Sequence, residues 1–261
     1  MTNYVALSKI EHSEVKIQTV STLPEYSGIS FLPIYGIEIS KLSLKFPLAF
    51  ASDGKDNYSL CILCSLSEEM PNGWLDHDNK WVGDYLPATI RQKPFTILKN
   101  SEDQLVVCID EESELIGDEG ESIFVEGELT ENMLQFIESL KACYVSGQNV
   151  QQIILQLKEL ELIIPWDIHF LDEKQVHTES KGAFRIDEEM LFNLSDQQWL
   201  SLKNKGALPL IYAQLLSMGN LKVLLSNLRA KHIHALQLDD EQGLLDFSLT
   251  NEQDSLNFES I

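Results

Sequence analysis

The stretch Trp74–Phe95, WLDHDNKWVGDYLPATIRQKPF, constrains the fold of this chain more than any other. It gathers two Trp, a Tyr, a Phe, two Pro and an Arg, and follows neither a two-residue nor a 3.6-residue period. Each aromatic side chain takes ~150–250 Å² out of water when buried. A loop of this composition is expected to be pinned on a core or a partner, and the rest of the chain has to supply that surface.

There is enough chain for it. The 261 residues suffice for one large domain or two small ones. The 19 basic against 41 acidic residues leave a net charge of -22, which repels phosphate backbones and anionic lipid, so no nucleic-acid partner is expected. The N-terminus, MTNYVALSKIEHSEVKIQ, lacks a basic segment followed by an apolar one, so no secretory signal is expected. The best apolar run, Ala207–Leu216, is about half of the ~18 residues a membrane span needs and contains Gln214. These features lead to the expectation of a soluble, cytoplasmic protein without a membrane span. Cys61, Cys64, Cys108 and Cys143 suit a reducing compartment better than a disulfide framework.

Taken in order, residues 1–35 read as short strands and turns, with an extended, edge-like piece at Val15 and Ile17. Ile39, Leu42 and Phe46 have helical spacing, which Pro47 ends. Strands are expected at Pro47–Phe50 and Tyr58–Leu66 about a turn at Ser52–Asn57, and at Phe95–Leu98 and Leu105–Asp110 about Asn100–Asp103. From Ser101 to Glu131 there are twelve acidic residues and no Lys or Arg, which reads as a solvated, irregular strip broken by Ile123 and Phe124. Thr130 is the expected N-cap of a helix with the stripe Met133, Phe136, Ile137 and Leu140, stapled by Leu129 and Leu134. Asn149 is expected to cap a second helix, with Val150, Ile153, Ile154, Leu157 and Leu160 inward. Strands follow at Leu162–Phe170, with Pro165 at an edge or break, and at Gly182–Ile186. Ser195 and Gln198 have capping-box spacing. Pro209 opens a helix with the expected stripe Leu216, Met218, Leu221, Leu225 and Leu228.

Motifs with built-in chemistry are missing: there is no glycine-rich phosphate loop, dinucleotide fingerprint, nucleophile elbow or HExxH helix. Cys61 and Cys64 have CxxC spacing, but residues three apart on a strand face opposite ways, so they read as buried apolar positions. His232 and His234, with Asp239 and Asp240 nearby, lack a fixed third ligand. Asp76, His77 and Asp78 can serve as a proton shuttle or form a tight polar turn, and the turn is the expected reading. Arg91, among aromatic neighbours, needs a carboxylate, and Asp84 or Asp110 is in position to supply one. It then either locks the loop or presents its guanidinium to a ligand carboxylate.

The run Trp81-x-x-x-Tyr85-x-Pro87-Ala88-x-Ile90-Arg91-x-x-Pro94-Phe95 resembles the core motif of the SapC family, bacterial proteins named for a locus concerned with surface-layer protein transport. Phe46-Pro47 with Ala49-Phe50, Ile109-Asp110-Glu111 with Ser113, Gly120 through Ile123-Phe124 to Thr130, and Leu208 to Ser217 resemble further family segments, so that the likeness runs from about Tyr4 to Leu228. Gln92 and Lys93 stand where the family often has Arg and Tyr, and Gln214 where His is common. The resemblance implies a link to surface-protein export. The name permease, used for some relatives, conflicts with the missing spans.

The expectation is an α+β protein: one domain over 1–230, β-rich and mainly antiparallel over 1–128, with a helix-rich region, 129–230, packed on it. Residues 231–261 are read as an acidic tail, with disorder expected. The expected function is that of a non-enzymatic accessory protein binding a protein client or an export or modification component. Trp74, Trp81, Asp84, Tyr85, Pro87, Arg91, Pro94 and Phe95 are the candidate binding residues. No cofactor or metal is expected, and the oligomeric state is left open. The alternatives are an enzyme or a subunit of a peptide-modifying system with His77, Asp84 and Arg91 around a pocket, and a module that grips a small acid through Arg91.

Overall fold

The computed structural model of the protein describes residues 3–55, 57–171 and 177–231; the expected acidic tail and the His232–His234 pair lie outside them. The fold is α+β and its strand pairs are antiparallel.

Five strands form the larger sheet, in the order Ile163–Pro165, Ala183–Ile186, Leu48–Ser52, Tyr58–Leu63 and Phe31–Pro33. Its centre is the hairpin expected from the turn at 52–57, in a register that sets Ala49 opposite Cys61. Pro165 sits on the edge strand, where a missing N–H breaks no interior ladder. Two of the five strands come from beyond residue 159, so the helical half of the chain completes the N-terminal sheet as well as packing on it. A second sheet pairs Tyr4–Ala6 with Leu105–Asp110, and that strand with Phe95–Lys99. The acidic strip between 111 and 130 is more ordered than expected. Lys16–Ile17 is the middle strand of a small ladder, not an edge, flanked by Ile116–Gly117 and Glu121–Ser122, and Phe124–Val125 pairs with Glu128–Leu129.

One helix, Glu131–Glu159, runs uninterrupted for 29 residues, about 43 Å at ~1.5 Å per residue. Thr130 caps it by accepting a hydrogen bond from the Met133 N–H. The break expected at Asn149 does not occur. Two hydrophobic cores lie along this helix, one buried by Met133, Ile137 and Leu140, the other by Val150, Ile154 and Leu157. Between them the loop Tyr35–Glu38 crosses the helix at Ser146 and Gly147. A Cβ on Gly36 would come within 2.8 Å of the Val150 side chain and 3.0 Å of the Ser146 carbonyl oxygen, so the crossing requires glycine there. Leu134 is exposed, and the expected staple with Leu129 is not part of the core. Thr130→Ala is expected to lower stability by ~1 kcal/mol through loss of the cap, read as a shifted urea midpoint at unchanged slope.

The capping box at Ser195 and Gln198 forms as its spacing predicts. The following helix differs from expectation. Over Leu208–Lys231 the inward face is Leu210, Ile211, Gln214, Ser217, Leu224 and Leu228, while Leu216 points out. Two polar side chains within the core stripe disguised its phase. This run is also long and apolar enough, by length and composition, to cross a membrane, whereas the expected apolar run ended at Leu216.

Candidate functional site

The aromatic stretch is pinned on this chain's own core. Trp74 is buried, stacks edge-on against Phe46 at 4.8 Å and donates from its indole N–H to the Leu63 carbonyl at 2.9 Å. Leu75 and Trp81 pair across a tight loop, in which the Asp76 carboxylate accepts from the backbone N–H groups of Asp78 and Lys80. The N–H of Lys80, aided by that of Asp78, holds the Asp76 carboxyl below its usual range. The Asp-His-Asp run is therefore a polar turn, and His77 lies exposed beside Asp78.

Trp81 packs on Phe46 and donates to the Tyr85 carbonyl at 3.0 Å, which brings the chain round to Pro87 and the short helix Ala88–Arg91. Gly83 makes this passage possible, since a Cβ there would lie 2.6 Å from both the Phe46 ring and the Trp81 indole nitrogen. Gly83→Ala is expected to destabilise by about 1–3 kcal/mol through overpacking, with altered tryptophan fluorescence and a lower melting temperature. Pro87 and Pro94 are buried, and Pro94 follows a cis peptide bond.

At the end of this passage lies the group that organises the site, Glu38. It sits between the two cores, 3% exposed. Its Oε1 accepts from the Tyr85 hydroxyl at 2.8 Å and the Ala88 N–H at 2.8 Å, with Arg91 Nη2 at 3.4 Å. Arg91 Nη2 donates to the Tyr85 hydroxyl at 2.9 Å and Nε to the Leu86 carbonyl at 2.8 Å. The tyrosine thus relays between guanidinium and carboxylate. Burial, and then the hydrogen bond to Glu38, push the Tyr85 hydroxyl above its ordinary range, so it remains a proton donor. Neither Asp84 nor Asp110 supplies the partner of Arg91: Asp84 is exposed and takes Lys45 at 2.8 Å, while Asp110 accepts from the N–H of Asn3. Glu38 had no signal in the sequence beyond an acid at the start of a helical spacing, because its partners lie 47 to 53 residues away.

Beside this network is a cavity of about 420 Å³, within the range of sites that take small ligands or single side chains. Ile17, Val20, Phe95, Ile123, Met133 and Phe136 give it an apolar lining, and Arg91, Gln92, Lys93, Asn132 and Ser139 contribute polar groups. Phe95 stacks edge-on with Phe136 at 5.3 Å. Lys93 is engaged with Glu25 and lies over the Tyr26 ring. Among the described residues, Arg91 Nη1 has no hydrogen-bond partner, and the buried amide nitrogen of Gln92 has none beyond the neighbouring Cys143 thiol. The structure thus brings Tyr85, Arg91 and Phe95 to one place, uses Trp74, Trp81, Pro87 and Pro94 to build it, and leaves Asp84 and His77 outside. A larger groove of about 660 Å³ beside the middle of the long helix is lined by none of the stretch's residues.

The cysteines are interior groups. Burial pushes the Cys61 thiol up to about 12 and Cys64 well above its ordinary value. Both are expected to resist iodoacetamide at pH 8 in the folded chain and to react on unfolding, as peptide mass mapping would read; fast labelling of the folded chain would contradict this. No group of three metal-ligating side chains occurs among the described residues.

No curated protein and no solved structure matches this chain. The sequence profile of the SapC family matches residues 7–224 of the 261, a span that contains the whole Trp74–Phe95 passage, Glu38 and the cavity. The chain belongs to the SapC family.

Proposed function

We propose that this chain is a non-enzymatic accessory protein that binds a protein client, or a component linked to surface-protein export, with Arg91 fixing a carboxylate of the partner at the mouth of the cavity. The observation that carries the reading is the state of Arg91. Its Nε and Nη2 are committed to Leu86 and Tyr85, which fixes the plane of the guanidinium, while Nη1 is unengaged beside an apolar cavity. A fork held by its own chain loses little freedom on binding, which suits capture of a planar carboxylate. The buried free thiols accord with work in a reducing compartment, hence on the cytoplasmic side of an export step.

Trp81→Ala is unsuited to testing this, because it removes a brace of the loop. Arg91→Gln keeps a donor to Leu86 and removes the charge. Calorimetric titration of the full chain with apolar hexapeptides carrying a free C-terminal carboxylate is expected to show binding that falls at least tenfold in folded Arg91→Gln and in the C-terminal amide peptides. Equal affinity for acid and amide forms would overturn the role of Arg91. Binding of small acids such as succinate in place of the peptides would assign the cavity to a small ligand instead.

A further inference from the structure

We infer that the cavity takes its partner as an extended strand, added along the segment that follows Lys16–Ile17, with one apolar side chain of that strand in the cavity. This rests on the reading of Arg91 above and states the form of the partner. The Gln18 N–H extends the ladder by bonding to the Leu115 carbonyl. Beyond it, Thr19, Val20, Ser21 and Thr22 run on without turn or bend. None of their backbone N–H or C=O groups has a hydrogen-bond partner among the described residues. The composition Thr-Val-Ser-Thr is that of a strand. It is therefore a strand in composition and course that lacks a neighbour among the described residues, and an exposed row of this kind is a template for a further strand.

Its position sets what that strand has to carry. Gln18, Thr19 and Val20 line the same cavity as Arg91 and Gln92. A peptide paired with this row can place one side chain against Ile17, Phe95 and Phe136, since alternate side chains of a strand face the same way. Its carboxylate then meets three donors: Arg91 Nη1, the Gln92 amide, which is 6% exposed and lines the cavity, and the N-terminus of the long helix, which lines it through Thr130 and Asn132. Among the described residues that line the cavity, Glu121 is the only acid, so the charge balance favours an anionic end. Backbone pairing supplies affinity without demanding a sequence, and the cavity and Arg91 supply the selection.

The test uses the full chain and a pool of fluorescein-labelled hexapeptides, randomised at five positions and ending in leucine with a free carboxylate. Retention on the immobilised protein is expected, and at least a tenfold loss when alternate peptide nitrogens are methylated, which removes strand pairing but leaves side chains and carboxylate. In an extended run, amides alternate in direction, so one of Ser21→Pro and Thr22→Pro, neither of which lines the cavity, is expected to lower retention at least tenfold while the other, its N–H turned away from the added strand, leaves it near wild type; melting curves verify that both fold. Retention that depends on Arg91 but is indifferent to N-methylation and to both proline variants would overturn strand addition and leave the carboxylate reading standing. Retention indifferent to Arg91→Gln as well, or no retention at all, would overturn both. Direct binding of a labelled peptide of residues 244–261, with the pool not retained, would assign the row to this chain's own C-terminal segment and overturn the proposal.

Discussion

Glu38→Ala is expected to be the most damaging single substitution within the site, lowering stability by about 3–5 kcal/mol, because it removes two hydrogen bonds to a buried carboxylate at ~1.5–3 kcal/mol each. The carboxylate is the common acceptor for the Tyr85 hydroxyl, the Ala88 N–H and the Arg91 guanidinium. Truncation leaves the buried Ala88 amide without an acceptor, and leaves the Tyr85 hydroxyl with Arg91 but no acceptor for its proton. It also removes the body of a side chain that is 3% exposed, which leaves a void. At ~2–4 °C per kcal/mol for a domain of this size, a melting temperature lower by roughly 6–20 °C follows. Glu38→Gln separates charge from hydrogen bonding. Its amide oxygen can still accept from Tyr85 and Ala88, so about 1–2 kcal/mol is expected. If both variants melted as wild type, Glu38 would not be the organiser of the site.

Gln214→Leu ranks second, at about 3 kcal/mol. Gln214 is fully buried and joins two strands: its Oε1 accepts from the Ile186 N–H at 3.0 Å, and its Nε2 donates to the Leu48 carbonyl at 3.1 Å. Ser217 next to it accepts from the Leu48 N–H at 3.0 Å and donates to the Gln214 carbonyl at 2.7 Å. Leucine has nearly the right volume, so the loss comes from two orphaned backbone groups at ~1–3 kcal/mol each, and not from a cavity. Gln214→His is the informative partner variant. A neutral imidazole also offers one donor and one acceptor, so it is expected to recover at least half of the loss at pH 8 and less at pH 5, where protonation removes the acceptor. Denaturant melts of both variants at the two pH values measure this. Recovery by histidine would make glutamine and histidine alternative ways to bridge the same two strands.

Neither Glu38 nor Gln214 stood out beforehand, for the same reason. Glu38 is one of 41 acidic residues, at the start of a helical spacing, and Gln214 is a polar residue held within the apolar run Ala207–Leu216. Each is buried because it satisfies backbone groups far away in the chain: Gln214 is 166 residues from Leu48. The long helix was read as two for a related reason. Gly147 and Asn149 weaken it locally, but two cores along its length supply more than local preference takes away. The choice of Asp84 or Asp110 for Arg91 failed on proximity in sequence, whereas the carboxylate arrives from a crossing loop. Of the apolar stripe expected on the last helix, Leu228 is buried and Met218, Leu221 and Leu225 pack on the core, while Leu216 points out and the polar Gln214 and Ser217 occupy core positions.

What the sequence determined by itself is local or periodic. The hairpins at 52–57 and 100–103, the caps at Thr130 and Ser195, the edge position of Pro165, the turn at Asp76 and the anchoring of the Trp74–Phe95 loop all follow from dihedral preferences, short-range hydrogen bonds and the aversion of aromatic surface to water. The spaced aromatic, proline and arginine residues also carried the family. Only the tertiary structure decided which carboxylate meets Arg91, which polar side chains are buried, that a strand-like row at Thr19–Thr22 has no backbone partner among the described residues, and that the start of this row and Arg91 border one cavity. Those outcomes depend on pairing free energies between distant groups in a dry interior, and these have no counterpart in the order of residues along the chain.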